Sequence, residues 1–141
     1  MTHFRTNRPW LAFLVVVLIG VVYFGRLVLV GNTLCNVTYS DAISVVHHKI
    51  SLPKSGTKYS ITSTPHETYA MVEIEESKAI EWVTNMGGAV RELEFGAAVM
   101  DICRDESYQV EPAWRSTFVH DSVTINVVYA KAQGSAFINS R

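Results

Sequence analysis

The sequence predicts an α+β protein: one N-terminal transmembrane helix, then a small, mostly antiparallel sheet with one or two helices packed on it. Three observations carry that expectation. An apolar run extends from Trp10 to Val30, broken only by Arg26. After it come short segments in which apolar and polar residues alternate, the period of a half-buried strand. One segment, Ser77 to Met86, repeats its apolar residues at the helical period, with Ala79, Trp82, Val83 and Met86 on one stripe.

At a rise of about 1.5 Å per residue, a helix over residues 10–30 would span about 30 Å, the thickness of a bilayer's hydrocarbon core. A cleaved secretory signal has a shorter apolar stretch, about 7–15 residues, and small residues at its cleavage site. Here, with Gly31 at the last position before a cut, bulky Leu29 would stand two residues earlier. Arg26 can lay its stem along apolar surface and send its guanidinium to the headgroups, while Trp10 and Tyr23 are residue types that suit interfaces. The run therefore reads as an uncleaved signal anchor. Arg5 and Arg8 precede it, and basic residues beside a span stay cytoplasmic. The expected arrangement is a cytoplasmic N-terminus over residues 1–9, a transmembrane signal anchor over 10–30, a juxtamembrane linker over 31–39 and a periplasmic α+β domain over 40–141, in a single-pass protein of a bacterial inner membrane. Asn32, Thr33 and Leu34 before Cys35 do not make a lipobox.

The elements of the outer domain follow in order. Ser40 and Asp41 can cap a short helix in which Ala42, Val45, Val46 and Lys49 fall on one face, passing into a strand near Ile50–Leu52. Pro53-Lys54-Ser55-Gly56 is a turn. Tyr59 and Ile61 mark a strand, Thr64-Pro65-His66 a loop, and Thr68–Glu75 a strand with Ala70, Val72 and Ile74 inward. The helix over Ser77–Met86 has Glu75 and Glu76 at its positive end and Gly87-Gly88 as its stop. Further strands are expected at Arg91–Phe95, Ala98–Cys103, Phe118–His120, Val123–Tyr129 and Ala136–Ile138. The short connections favour antiparallel pairing.

Charge is unevenly divided. The chain has 12 Lys and Arg against 13 Asp and Glu, but Arg5, Arg8 and Arg26 all precede Cys35 and no acid does. The outer domain is therefore acidic, with no basic run to meet nucleic-acid phosphates. Its two cysteines, Cys35 and Cys103, are an even pair in a compartment expected to be oxidising, which favours a disulfide. Closing a loop of that size is worth about 4 kcal/mol by chain entropy. Asn36-Val37-Thr38 fits a glycosylation acceptor but lies against the expected membrane surface and reads as chance.

No enzyme motif is present: no G-x-S-x-G, no H-E-x-x-H and no Gly-rich phosphate loop. A non-enzymatic protein is expected, without cofactor. His47 and His48 are adjacent and diverge in either a strand or a helix, and His66 and His120 sit at loop or strand ends, so no metal-ligand spacing emerges. Glu73, Glu75, Glu92 and Glu94 could in principle offer paired carboxylates, but acid runs of this kind are normally solvated faces. The segment from Glu67 to Glu94 reads better as a binding surface. Its acids would speed encounter with a basic protein, and Tyr69 could anchor the contact, with Trp114 either a second anchor or core. The candidate partner-binding residues are Tyr69, Glu73, Glu75, Glu76, Glu92 and Glu94.

An anchor, Cys35 just past it, and a small domain closed by a late Cys103 together make a layout that resembles the immunity proteins against colicin M. The likeness is one of architecture, with no shared motif and no functional residue carried over. The functional expectation is a membrane-anchored periplasmic protein-binding domain, an immunity protein or inhibitor of a toxin acting in the envelope, with a basic toxin as its partner and the bilayer contacted through residues 10–30. The alternative is an accessory structural subunit of an inner-membrane or envelope complex.

Overall fold

The computed structural model describes residues 9–29, 32–46, 50–93 and 95–141, with the side chains of the first helix described over Trp10–Gly25. The chain divides into two units, residues 1–30 and 31–141. In the first, helix α1 covers Pro9–Leu29. The helix forms where the apolar run predicts it, but the membrane expectation is corrected. No helix among the described residues is long and apolar enough to cross a membrane. The transmembrane anchor over 10–30, and the single-pass inner-membrane placement with a periplasmic domain that depends on it, are therefore not supported. Nor is the anchor on which the likeness to immunity proteins leaned.

Among its described residues the second unit is mostly antiparallel sheet with two helices. Its elements are β1 (Asn32–Val37), α2 (Tyr39–Ser44), β2 (Lys58–Ser63), β3 (Thr68–Glu73), α3 (Glu76–Asn85), β4 (Arg91–Glu92), β5 (Ala97–Asp101), β6 (Glu106–Val110), β7 (Trp114–His120), β8 (Val123–Ala130) and β9 (Ser135–Ser140). Seven strands form one sheet in the order β1-β2-β3-β9-β8-β7-β4, and β5 and β6 form a separate hairpin. Every pairing is antiparallel. The final strand thus lies at the centre, between β3 and β8.

One face of the sheet carries the main core. Tyr59, Ile61, Ala70, Val72, Ile125, Val127, Tyr129, Ala136 and Ile138 are buried there with Ala79 and Val83 of α3. α3 lies on this face because its apolar stripe has the helical period, and Trp82 reaches across to the Phe118 ring at 6.5 Å. Its stop is a Schellman turn: Gly87 takes φ +89, its N–H bonds the Thr84 carbonyl at 3.0 Å, and the Gly88 N–H bonds Val83 at 2.9 Å. A side chain at Gly88 would collide with the Phe118 ring and Val83, so glycine also permits close packing there. Trp114 is core, 2% exposed, and stacks on Tyr129 with ring centroids 5.4 Å apart.

Three local expectations shift. The cap of α2 is Thr38, whose Oγ1 accepts from the Asp41 N–H, and the helix ends at Ser44 without a strand at 50–52. Residues 32–37, predicted as linker, form edge strand β1. Strand β6 was not predicted, and β7 begins four residues earlier than expected, at Trp114. His47, His48 and Glu94 lie outside the described residues.

Candidate functional site: a cleft between the hairpin and the open sheet face

Side chains alternate across a strand, so each core strand also presents a second face. In β7, Trp114, Ser116 and Phe118 are buried, while Arg115, Thr117 and Val119 point the other way and are exposed. The registers align such residues into rows. Thr62, Tyr69, Asn139, Asn126 and Thr117 are successive cross-strand neighbours from β2 to β7. Parallel to this polar row runs a more apolar one: Met71, Phe137, Val128 and Arg115.

The β5–β6 hairpin covers part of this face. Val99 and Val110 pack on Ala130 and Phe137, flanked by Met71 and Val128, and Tyr108 meets the Phe137 ring edge-on at 6.2 Å. The hairpin tip is an Asx-type turn in which Asp101 Oδ1 accepts from the Cys103 and Arg104 N–H groups at 3.0 and 3.2 Å. That turn delivers Cys103 to Cys35 on edge strand β1. The two lie at disulfide distance, with Cα atoms 5.8 Å apart, as the cysteine count predicted. Cys103 Sγ also lies 3.4 Å from Ser60 Oγ on the adjacent strand β2. The tip is therefore held over the β1–β2 side of the sheet.

Beside the hairpin lies a cleft of about 560 Å³, within the range of ligand-binding pockets. Its floor includes Tyr69, Asn126, Val128, Phe137 and Asn139, with Arg115 and Arg141 as its cations. Its wall is β5 and the residues leading into it. Phe95, Gly96, Ala97, Ala98, Val99 and Met100 all line the cleft. Consecutive residues of a strand can line one space only if the backbone edge, rather than one pleated face, is turned toward it. Among the described residues β5 pairs with β6 and with no other strand, so that edge is open.

One end of the cleft is electrostatically closed. Arg141 Nε lies 2.6 Å from Glu67 Oε1. Burial opposes ionisation of Glu67, but hydrogen bonds from Arg141, Tyr69 and Asn139 outweigh it and hold its carboxyl below the ordinary value. The same pairing raises Arg141. With its amide nitrogen committed to Glu67, Asn139 keeps a buried Oδ1 that has no hydrogen-bond partner among the described residues. A buried acceptor left unpaired costs about 1–3 kcal/mol, so this oxygen calls for a donor. No family model matches the chain, and no curated protein or solved structure matches it either. The site is therefore read from its own geometry.

The predicted binding residues fall in different places. Tyr69 is on the cleft floor. Glu73, Glu75 and Glu76 gather where β3 gives way to α3, paired with Lys58 at 3.6 Å, Lys78 at 3.8 Å and Lys131 at 3.6 Å. Glu92 is on β4, four strands from β3, or about 19 Å at the usual inter-strand spacing. The sequence count of acids between Glu67 and Glu94 could not see Lys58, Lys131 or Arg141, which arrive from parts of the chain outside that segment. Among the described residues no three His, Cys, Asp or Glu side chains group as a metal site. Arg115, Asn126 and Asn139 were not anticipated. The available signal was polar residues at outward positions of otherwise apolar strands.

Proposed function

We propose that the second unit, residues 31–141, is a protein-binding module that receives an extended segment of its partner in this cleft, as a strand added to the free edge of β5. The observation that carries the reading is the open backbone edge of β5 over a floor with an unpaired amide oxygen. Unpaired strand edges are templates for another chain, and natural proteins cover or blunt those not in use. Strand addition draws affinity from main-chain hydrogen bonds and selectivity from the pockets that receive alternate side chains. Phe95, 80% exposed where the chain enters β5, is the kind of aromatic anchor that binding surfaces favour.

An inhibitor or immunity protein is the special case in which the partner is a toxin. A basic toxin would meet Glu73, Glu75 and Glu76 instead. Their ion pairs are exposed and worth little, so a partner's lysines and arginines could exchange for the resident ones.

A photo-crosslinking residue placed in the full-length chain tests the two sites together. From position 95 it is expected to give one discrete protein adduct in cells, and none from position 81 on the exposed side of α3. An adduct from position 75 with none from 95 would move the interface to the acidic end. No adduct from either position overturns the reading.

A further inference from the structure

The β4–β7 pairing sets Arg91 directly opposite Arg115. Residues so placed have Cβ atoms about 5 Å apart, and like charges at that separation destabilise a sheet. Arg115 lines the cleft, and both arginines line an adjoining recess of about 310 Å³ with Leu93 and Thr117. The other two arginines described in the domain each face an acid, Arg104 with Asp101 and Arg141 with Glu67. Among the described residues Arg91 and Arg115 have none. Glu92, the acid next to Arg91 in sequence, follows it on the strand and so points to the opposite face.

Guanidinium groups present planar forks that match a carboxylate with two parallel hydrogen bonds. One carboxylate between two arginines would turn their repulsion into attraction. The cleft beside them is apolar at Val128, Phe137 and Phe95, so the ligand has an apolar body next to its charge. We infer that Arg91 and Arg115 form a carboxylate-binding pair, and that the segment laid along β5 places an acidic side chain on them. In an added strand, residues two apart share a face, so an apolar residue two positions from the acid would rest on the apolar floor. The acidic segment rests on the strand-addition reading, whereas the carboxylate site rests on the arginine geometry alone.

The test is a titration of the full-length chain with acetyl-Val-Ser-Glu-Ser-Val-amide, in which each Val stands two positions from the acid, against acetyl-Val-Ser-Gln-Ser-Val-amide as the uncharged isostere. The Nε–Hε resonances of the arginines are followed at constant ionic strength. The Glu peptide is expected to shift Arg91 and Arg115 saturably, about tenfold more tightly than the Gln peptide, because only it offers a charged acceptor. Arg141, already paired, should move little. R115Q is expected to weaken the Glu peptide about tenfold while the remaining amide spectrum shows an intact fold, since Arg115 is exposed. Equal binding of the two peptides, or no saturable shift at Arg91 and Arg115, overturns the inference. If position 95 still yields its protein adduct in that event, strand addition stands without the acid. If the peptides discriminate but no adduct forms, the carboxylate site stands and the protein segment falls.

Discussion

Glu67 is a residue whose charge has a defined consequence for stability. It accepts from Arg141, Tyr69 and Asn139, and these bonds favour the carboxylate over its protonated form against the cost of burial. A carboxyl held below its ordinary value binds its proton less readily folded than unfolded. It therefore contributes stability that is present above the unfolded pKa, about 4.3, and is lost as pH falls through the lower folded value. Glu67→Gln removes that contribution. The variant is expected to be less stable than the wild type at pH 7, by about 1 kcal/mol or less because Arg141 is largely exposed. The gap should close as pH drops below 4. Urea denaturation of both chains across pH 3–7 measures it. A gap independent of pH would mean that Glu67 acts through packing rather than charge. The same substitution frees Asn139 from its carboxylate partner, so the cleft floor should loosen as well.

At the scale of elements, the hairpin over the open face has two attachments: the small apolar cluster around Phe137, and the Cys35–Cys103 link at its tip. Opening that link with C35S/C103S releases a loop worth up to about 4 kcal/mol of chain entropy. The loss should be local first. Amides of β5 and β6 are expected to lose hydrogen-exchange protection by a larger factor than those of β3, β8 and β9, whose neighbours on the helix face are untouched. Uniform loss across the sheet would show that the hairpin is not a separable unit. These elements also show what the sequence disclosed. α3, β2, β3 and β8 were legible because each is amphipathic at one clear period and is punctuated by turn residues. β1 and β6 were not, since Asn32–Val37 and Glu106–Val110 bury little and show weak alternation. The β7–β8 turn, Asp121-Ser122 with φ of 49° and 67°, has the backbone of a two-residue hairpin turn without its usual glycine. The cleft was illegible for a different reason. It depends on which strands are neighbours, and residues far apart in sequence, such as Thr62 and Asn139, need not announce that they share a row.

The whole domain is organised by where its last strand goes. β9 pairs with β3 from Thr68↔Ser140 to Glu73↔Ser135, and with β8 from Ile125↔Ser140 to Ala130↔Ser135. It contributes Ala136 and Ile138 to the main core and Phe137 to the cluster beneath the hairpin, so it joins both layers. Among the described residues the sheet's left and right parts are paired only through it. β1, β2 and β3 lie on one side and β8, β7 and β4 on the other. A sheet completed by such distant pairing carries the loop-closure cost before the contacts repay it, and folding on the millisecond-to-second scale is expected. Stopping the chain at Gly134 makes the dependence measurable. Without β9, β3 and β8 each expose an edge, and the core loses Ala136 and Ile138 from between Ala70, Val72 and Val127. Both remaining three-strand groups lose their pairing to β9 and part of the shared core, so the truncated chain is expected to show no cooperative urea transition and no slow-exchanging amides. If either β1–β3 or β4, β7 and β8 keeps a cooperative transition of its own, the domain is two sheets joined by a strand. If both signals vanish, it is one sheet that exists only when its final strand has docked.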